Sequence, residues 1–204
     1  MARVRFFRSA GGRKLAFTVE GTGPMLALPA WWVSHLEHDD ATPSYRAFFE
    51  RLAMRFTVVR YDRAGVGLSD RSRRTYTLDS ELNDFTRLVD EIGADRVNLL
   101  GFSCGAPVAL AFAAEHPDRV DRLVLYGGFV RGCELASAEV RDALVALVRA
   151  GGTLGSRTLA DMFHPTADAA GRLAFLAGMR ASAEPEMAAR LLELTYALDA
   201  SAYG

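Results

Sequence analysis

The residues best suited to chemistry lie at Gly101-Phe102-Ser103-Cys104-Gly105. A serine hydroxyl is a weak nucleophile. It attacks a carbonyl when a base takes its proton and N–H donors receive the charge that develops on oxygen. Here the β-prone stretch Arg96-Val97-Asn98-Leu99-Leu100 precedes the serine, and the small-residue run from Ala106 to Glu115 follows it. The chain must therefore turn sharply from strand into helix at Ser103, which lifts the hydroxyl clear of the sheet. Such a turn costs on the order of 1–3 kcal/mol in backbone strain. It also needs glycine wherever a side chain would meet neighbouring backbone. The helix start just beyond presents free N–H groups and the positive end of the helix dipole where an oxyanion would form. Ser103 is the candidate nucleophile.

The elements that must position it follow from periodicity and turn chemistry. Residues 3–8 and 13–19 read as two strands around the Gly11-Gly12 turn, and Met25-Leu26-Ala27-Leu28 as a strand covered on both faces. Thr42-Pro43 is suited to start a helix, with Ala47, Phe48, Leu52 and Ala53 at helical spacing. Phe56-Thr57-Val58-Val59-Arg60 is β-branched. Thr77 caps a helix with the apolar stripe Leu82, Phe85, Leu88, Val89 and Ile92, which Gly93 ends. His116-Pro117 closes the helix after Ser103, and Val120–Tyr126 is the next strand. A hairpin followed by strand–helix alternation predicts an α/β fold: a mostly parallel sheet with helices on both faces and ligands beyond the carboxyl ends of the strands. After residue 131 four helical patterns follow, near 137–150, 156–163, 167–180 and 185–198. The first has Ser137 as its cap and the stripe Val140, Leu144, Leu147 and Val148. Residues 1–130 thus read as the sheet-bearing core, and residues 131–204 as a helical cap that walls the site from water.

Composition narrows the function classes. The 204 residues are 50% hydrophobic and 24% charged with a net charge of −1, an ordinary globular balance. That charge gives no electrostatic reason to expect nucleic acid or an anionic membrane as partner. No apolar run reaches the ~20 residues of a membrane span. The basic start Arg3-Val4-Arg5-Phe6-Phe7-Arg8 lacks the apolar stretch of a signal peptide. Cys104 and Cys133 form neither a metal spacing nor a disulfide framework, so a cytoplasmic location is expected. Ser34-His35-Leu36-Glu37-His38-Asp39-Asp40 gathers metal-type side chains, but H-x-x-H is not the i, i+4 spacing of a helical zinc site. It reads as a polar loop near the pocket mouth, and neither a metal nor a cofactor is expected. Gly65-Val66-Gly67 has Asp70 where a dinucleotide fingerprint needs its third glycine, and a tight turn accounts for both glycines. Cys104 reads as a small residue contributing volume and its N–H.

Three motifs in order resemble the α/β-hydrolase superfamily. They are Gly101–Gly105, the loop Tyr61-Asp62-Arg63-Ala64-Gly65-Val66-Gly67-Leu68-Ser69-Asp70, and Glu115-His116-Pro117-Asp118-Arg119-Val120. The opening Pro29-Ala30-Trp31-Trp32-Val33-Ser34-His35-Leu36-Glu37 is similar to bacterial α/β-hydrolase domains often joined to regulatory modules. The resemblance implies the α/β-hydrolase fold and serine-dependent hydrolysis of a small ester, lactone or related acyl substrate through an acyl-enzyme. Ser103 is then the nucleophile and the Cys104 N–H one oxyanion donor, with the second from Ala30 or Trp31. Trp32 and Phe102 would line the substrate pocket. Relatives often carry His-Gly where this chain has Pro29-Ala30. A serine at this position sets the chain apart from the dehalogenase and epoxide hydrolase branches, which use aspartate there.

The same resemblance places an acid and then a histidine after the nucleophile, on loops of later strands. After Ser103 there are only His116 and His164. His116 lies 13 residues on, about 20 Å along a helix, and His164 falls in the predicted cap. At least two strand–helix units of roughly 30 residues each are expected beyond Gly204. The catalytic acid and base are expected there too, so the 204 residues alone would be incomplete. An open sheet edge would then favour self-association. The alternative class is a ligand-binding sensor on the same fold, with binding rather than turnover as its output.

Overall fold

The computed structural model describes residues 3–72, 75–163 and 165–203. Strand β1 (Arg5–Arg8) pairs antiparallel with β2 (Lys14–Glu20), which pairs antiparallel with β4 (Thr57–Tyr61). From there the sheet is parallel. β3 (Met25–Ala27) lies between β4 and β5 (Val97–Phe102), and β6 (Val120–Tyr126) follows β5, giving the order β1-β2-β4-β3-β5-β6. This is the α/β-hydrolase fold expected from the sequence, with a mostly parallel sheet and helices on both faces.

Alternating side chains in the central strands feed two cores. Ala27, Val59 and Leu99 join α3 (Leu78–Glu91) and α4 (Ala106–Glu115) on one face. Their chain neighbours Leu26, Val58 and Leu100 join Phe49 of α2 (Pro43–Ala53) on the other. Continuous apolar runs are what two-sided burial requires. Thr77 caps α3 as expected, in a reciprocal pair with Ser80. Four helices follow the sheet: α5 (Ala138–Ala150), α6 (Gly152–Phe163), α7 (Ala169–Ser182) and α8 (Pro185–Ala197). Residues of α5, α6 and α8 share a core with Val66 and Cys104, so this helical layer packs onto the turn that carries Ser103. Among the described residues no helix is long and apolar enough to cross a membrane.

Three local expectations need correction. Residues Leu36–Ala41 are a helix, α1, rather than a polar loop. Its cap is the His35 imidazole, whose Nδ1 accepts from the His38 amide, and Asp39 and Asp40 on it are buried. Neither an apolar period nor a usual cap residue marks it. Thr42 precedes α2 but makes no side-chain cap; its hydroxyl donates to the His38 carbonyl at 2.9 Å and so closes α1. In α5 the buried side is Val145 and Val148, while Val140 is 48% exposed. The α5 stripe is rotated because α5 packs against α8.

Candidate active site

Ser103 sits at the end of β5 with φ 52°, the one non-glycine residue at positive φ among the described residues. A non-glycine side chain occupies that region only when the surroundings enforce it. Two close approaches do so. A Cβ on Gly101 would come within 2.9 Å of Ala106 Cα and of Leu125 Cδ2. One on Gly105 would come within 2.6 Å of the Pro29 carbonyl oxygen. The second approach sets the loop after β3, with Pro29, Ala30 and Trp31, directly against the turn that carries Ser103.

That loop is oriented by Arg63. Its guanidinium is buried, donates to the Ala30 carbonyl, lies 3.5 Å from the Glu81 carboxylate and reaches Cys104 Sγ at 3.8 Å. Because C=O and the following N–H point to opposite sides of a planar trans peptide, a carbonyl of Ala30 held by Arg63 turns the Trp31 N–H the other way. Asp62 anchors the next stretch. Its Oδ1 accepts from the Ser34 hydroxyl at 2.7 Å, and its Oδ2 accepts from the Leu68 amide at 3.0 Å and the Leu36 amide at 3.3 Å. Burial pushes the Asp62 carboxyl up in spite of these bonds. Gly67, at φ 53°, leaves room for it, since a Cβ there would fall 2.1 Å from Asp62 Oδ2. The glycines of this loop thus make a tight turn around a buried carboxylate.

The aromatic residues divide. Trp31 stacks on Phe49 at 6.0 Å and meets Phe102 edge-on, and Phe102 stacks on Tyr126 at 5.4 Å. With Leu28, Tyr45 and Phe48 they line an apolar recess of about 370 Å3. Trp32 lies elsewhere: its indole N–H donates to the Ala188 carbonyl of α8 at 2.9 Å, and its ring faces Phe163. The Cys104 side chain is fully buried, and burial pushes its thiol up, so it is an inert neighbour of Ser103.

None of the described histidines hydrogen-bonds Ser103. His35 caps α1, and His38 packs against Gly178 of α7. His116 ends α4 with its ring 4.8 Å from that of Phe112, some 20 Å from Ser103 by helix length. His164 lies outside the described residues. Among the described residues no group of three or more metal-type side chains comes together. Sequence reasoning gave no separate role to Arg63, which lies in a polar, glycine-containing loop between Asp62 and Ala64.

The model of a family described as alpha/beta hydrolase fold matches residues 40–199. An uncharacterized protein of Mycobacterium tuberculosis is 34% identical over 149 residues, 70% of this chain and 42% of that protein. Haloalkane dehalogenase 2 of the same organism is 36% identical over 126 residues, 59% of this chain and 40% of that protein. This chain therefore spans less than half the length of these two curated relatives. The crystal structure of the enol-lactonase from Burkholderia xenovorans is similar at TM-score 0.72 and 26% identity, over 98% of this chain and 76% of that one.

Proposed function

The chain belongs to the alpha/beta hydrolase fold family, and on that premise we propose that it carries the nucleophile of a serine hydrolase acting on a small ester, lactone or related acyl substrate. The observation that carries this reading is Ser103 at φ 52° on a strand–helix turn cleared by Gly101 and Gly105. Ser103 Oγ attacks the acyl carbonyl and the ester C–O bond breaks. The alcohol oxygen takes up the serine's proton, and the alcohol departs from an ester or stays tethered in an opened lactone. Water then hydrolyses the acyl-serine and returns the proton to Ser103. The Cys104 N–H is one oxyanion donor. The hydrogen bond from Arg63 to the Ala30 carbonyl favours Trp31, rather than Ala30, as the second. Phe102 and Trp31 offer the acyl group an apolar wall, and α5–α8 act as a cap over the strand ends. Trp32 contributes by fastening the loop after β3 to α8.

Ser103 also bears on the kind of bond cleaved. Displacing halide from an alkyl carbon would leave serine as an ether, which water does not readily open. An acyl-serine is an ester and turns over. The enol-lactone named for the Burkholderia relative is such an acyl substrate. The test is hydrolysis of 4-nitrophenyl acetate and a γ-lactone panel by the whole protein, with and without Ser103→Ala. A fall of roughly a thousandfold or more in kcat supports the reading, and undiminished turnover overturns it. Saturable binding of these compounds without turnover in the parent protein would favour the sensor function instead.

A further inference from the structure

The recess beside Phe102 has a chemistry that narrows the substrate. Its volume is about 370 Å3, and its wall is largely aromatic. Trp31 stacks on Phe49 and meets Phe102 edge-on, Phe102 stacks on Tyr126, and Phe48 adds a ring edge-on to Phe49 at 5.2 Å. Two of these rings belong to the site itself. Phe102 precedes the half-buried Ser103, and Trp31 carries the proposed second oxyanion donor. A carbonyl held by Ser103 and the Trp31 N–H is thus held by the same turn and loop whose side chains form the recess.

Among the described residues the wall carries no charged side chain, and its polar side chains are the hydroxyls of Ser44 and Tyr45. Burial, and then the Asp39 charge, push the Tyr45 hydroxyl above the usual tyrosine range, so it stays neutral. Arg60 lies over the Phe49 ring at 3.9 Å, but it is outside the wall and is already held by Asp40. An anionic substituent would therefore lose its water without gaining a counter-charge.

We propose, resting on the serine-hydrolase reading above, that the preferred substrates are esters of neutral arylalkanoic acids, with the aryl ring of the acyl group held among Trp31, Phe102 and Tyr126. Aromatic rings favour stacked and edge-on neighbours, and these three side chains offer both. Tyr126 and Phe48 remain exposed, so a ligand ring has apolar area left to cover. An acetyl group would leave most of the recess to water. The ring is assigned to the acyl side because the acyl group stays on Ser103 after the alcohol has gone. Its contacts with the neighbouring Phe102 then serve both acylation and deacylation.

The experiment compares hydrolysis of ethyl acetate, ethyl 3-phenylpropanoate, 2-phenylethyl acetate and monoethyl succinate by the whole protein. The phenylpropanoate should exceed ethyl acetate in kcat/KM by roughly tenfold or more, and the anionic succinate should fall below it. Phe48→Ala should lower the phenylpropanoate-to-acetate ratio by about threefold or more. In parallel, 4-phenylbutan-2-one, butan-2-one and 4-oxopentanoate are titrated calorimetrically into the whole protein bearing Ser103→Ala. The aryl ketone should bind saturably, roughly tenfold or more tightly than butan-2-one, and the carboxylate should not bind. Equal kcat/KM for ethyl acetate and ethyl 3-phenylpropanoate overturns the proposal and leaves the hydrolase reading standing. A preference confined to 2-phenylethyl acetate, an unchanged ratio in Phe48→Ala, or no binding of the aryl ketone also overturns it. If no ester is hydrolysed, the hydrolase reading fails, and the ketone titration still decides whether the recess takes an aryl arm.

Discussion

The buried Arg63 guanidinium donates to the Ala30 carbonyl from the loop that follows β4. The same side chain lies 3.8 Å from Cys104 Sγ. One cation thus ties the loop after β3 to the residue beside Ser103, fixing the peptide that carries the proposed oxyanion donor at Trp31. Since a preorganised donor must already aim at the developing charge, loosening this tie is expected to affect turnover more than substrate binding.

Arg63→Lys keeps a cation near Glu81 but replaces a rigid fork with a point charge. Ester hydrolysis by the whole protein should lose roughly tenfold or more in kcat with little change in KM. Arg63→Met removes the cation from the buried Glu81 carboxylate and should cost about 3–5 kcal/mol in urea unfolding. An unchanged kcat in the lysine variant would argue that Ala30 is held by other contacts.

Gly67 and Gly12 both have positive φ, yet alanine should behave very differently at the two positions. At Gly12, φ 78°, a Cβ meets nothing within 4 Å, and alanine should cost about 1 kcal/mol in backbone strain alone. At Gly67 the Cβ would strike Asp62 Oδ2 and disturb the carboxylate that holds Ser34 and Leu36, for a loss of about 3 kcal/mol or more. Equal denaturation midpoints for the two variants would refute this role for Asp62.

Asp39 predicts a pH dependence of stability. Its carboxyl rises from 3.8 to about 7 on folding, so between those values the folded protein holds a proton that the unfolded chain has released. Stability is therefore greatest below about pH 4 as far as this group is concerned. It falls as pH rises toward about 7, at up to ~1.4 kcal/mol per pH unit. Asp39→Asn has no such proton and should flatten the slope across that window. Denaturant midpoints measured from about pH 4 to about pH 8 give the comparison, and parallel slopes in parent and variant would refute it.

Strand β6 ends the sheet on its side and exposes Val124 at 55% and Tyr126 at 65%. An edge of this kind pairs readily with a second copy, antiparallel across a two-fold axis. The 204-residue chain should sediment as a concentration-dependent dimer, and Val124→Lys should return it to monomer. A dimer untouched by that charge would rest on another surface.

The parts legible from sequence were those where several local signals coincide. At Ser103 a β-prone approach, two glycines and a small-residue helix all demand the same turn. At α3 the Thr77 cap, the stripe through Leu82 and Phe85 and the stop at Gly93 agree. What escaped depends on distant partners. Helix α1 buries Asp40 because Arg60 on β4 receives it, a pairing between residues 20 positions apart. Arg63 lies in a loop, and its partners Ala30, Glu81 and Cys104 come from three separate segments. Trp31 and Trp32 are adjacent in sequence, yet one faces Phe102 and the other α8. The first is decided by stacking on Phe49, the second by a carbonyl 156 residues away.

The placement of β3 between β4 and β5 has a consequence for the order in which the protein can be built. On a ribosome, Met25–Ala27 emerges before either of its neighbours in the sheet. It must wait as an unpaired apolar run until β4 and then β5 have been synthesised. The loop with Ala30 and Trp31 can lean on Phe49 and Arg63 earlier, but it meets the turn that carries Ser103 only when Gly105 arrives. The nucleophile and the donors proposed to serve it are thus completed together by a single late segment. Until then the nascent chain carries in Met25–Ala27 an apolar strand whose two neighbours are still to come.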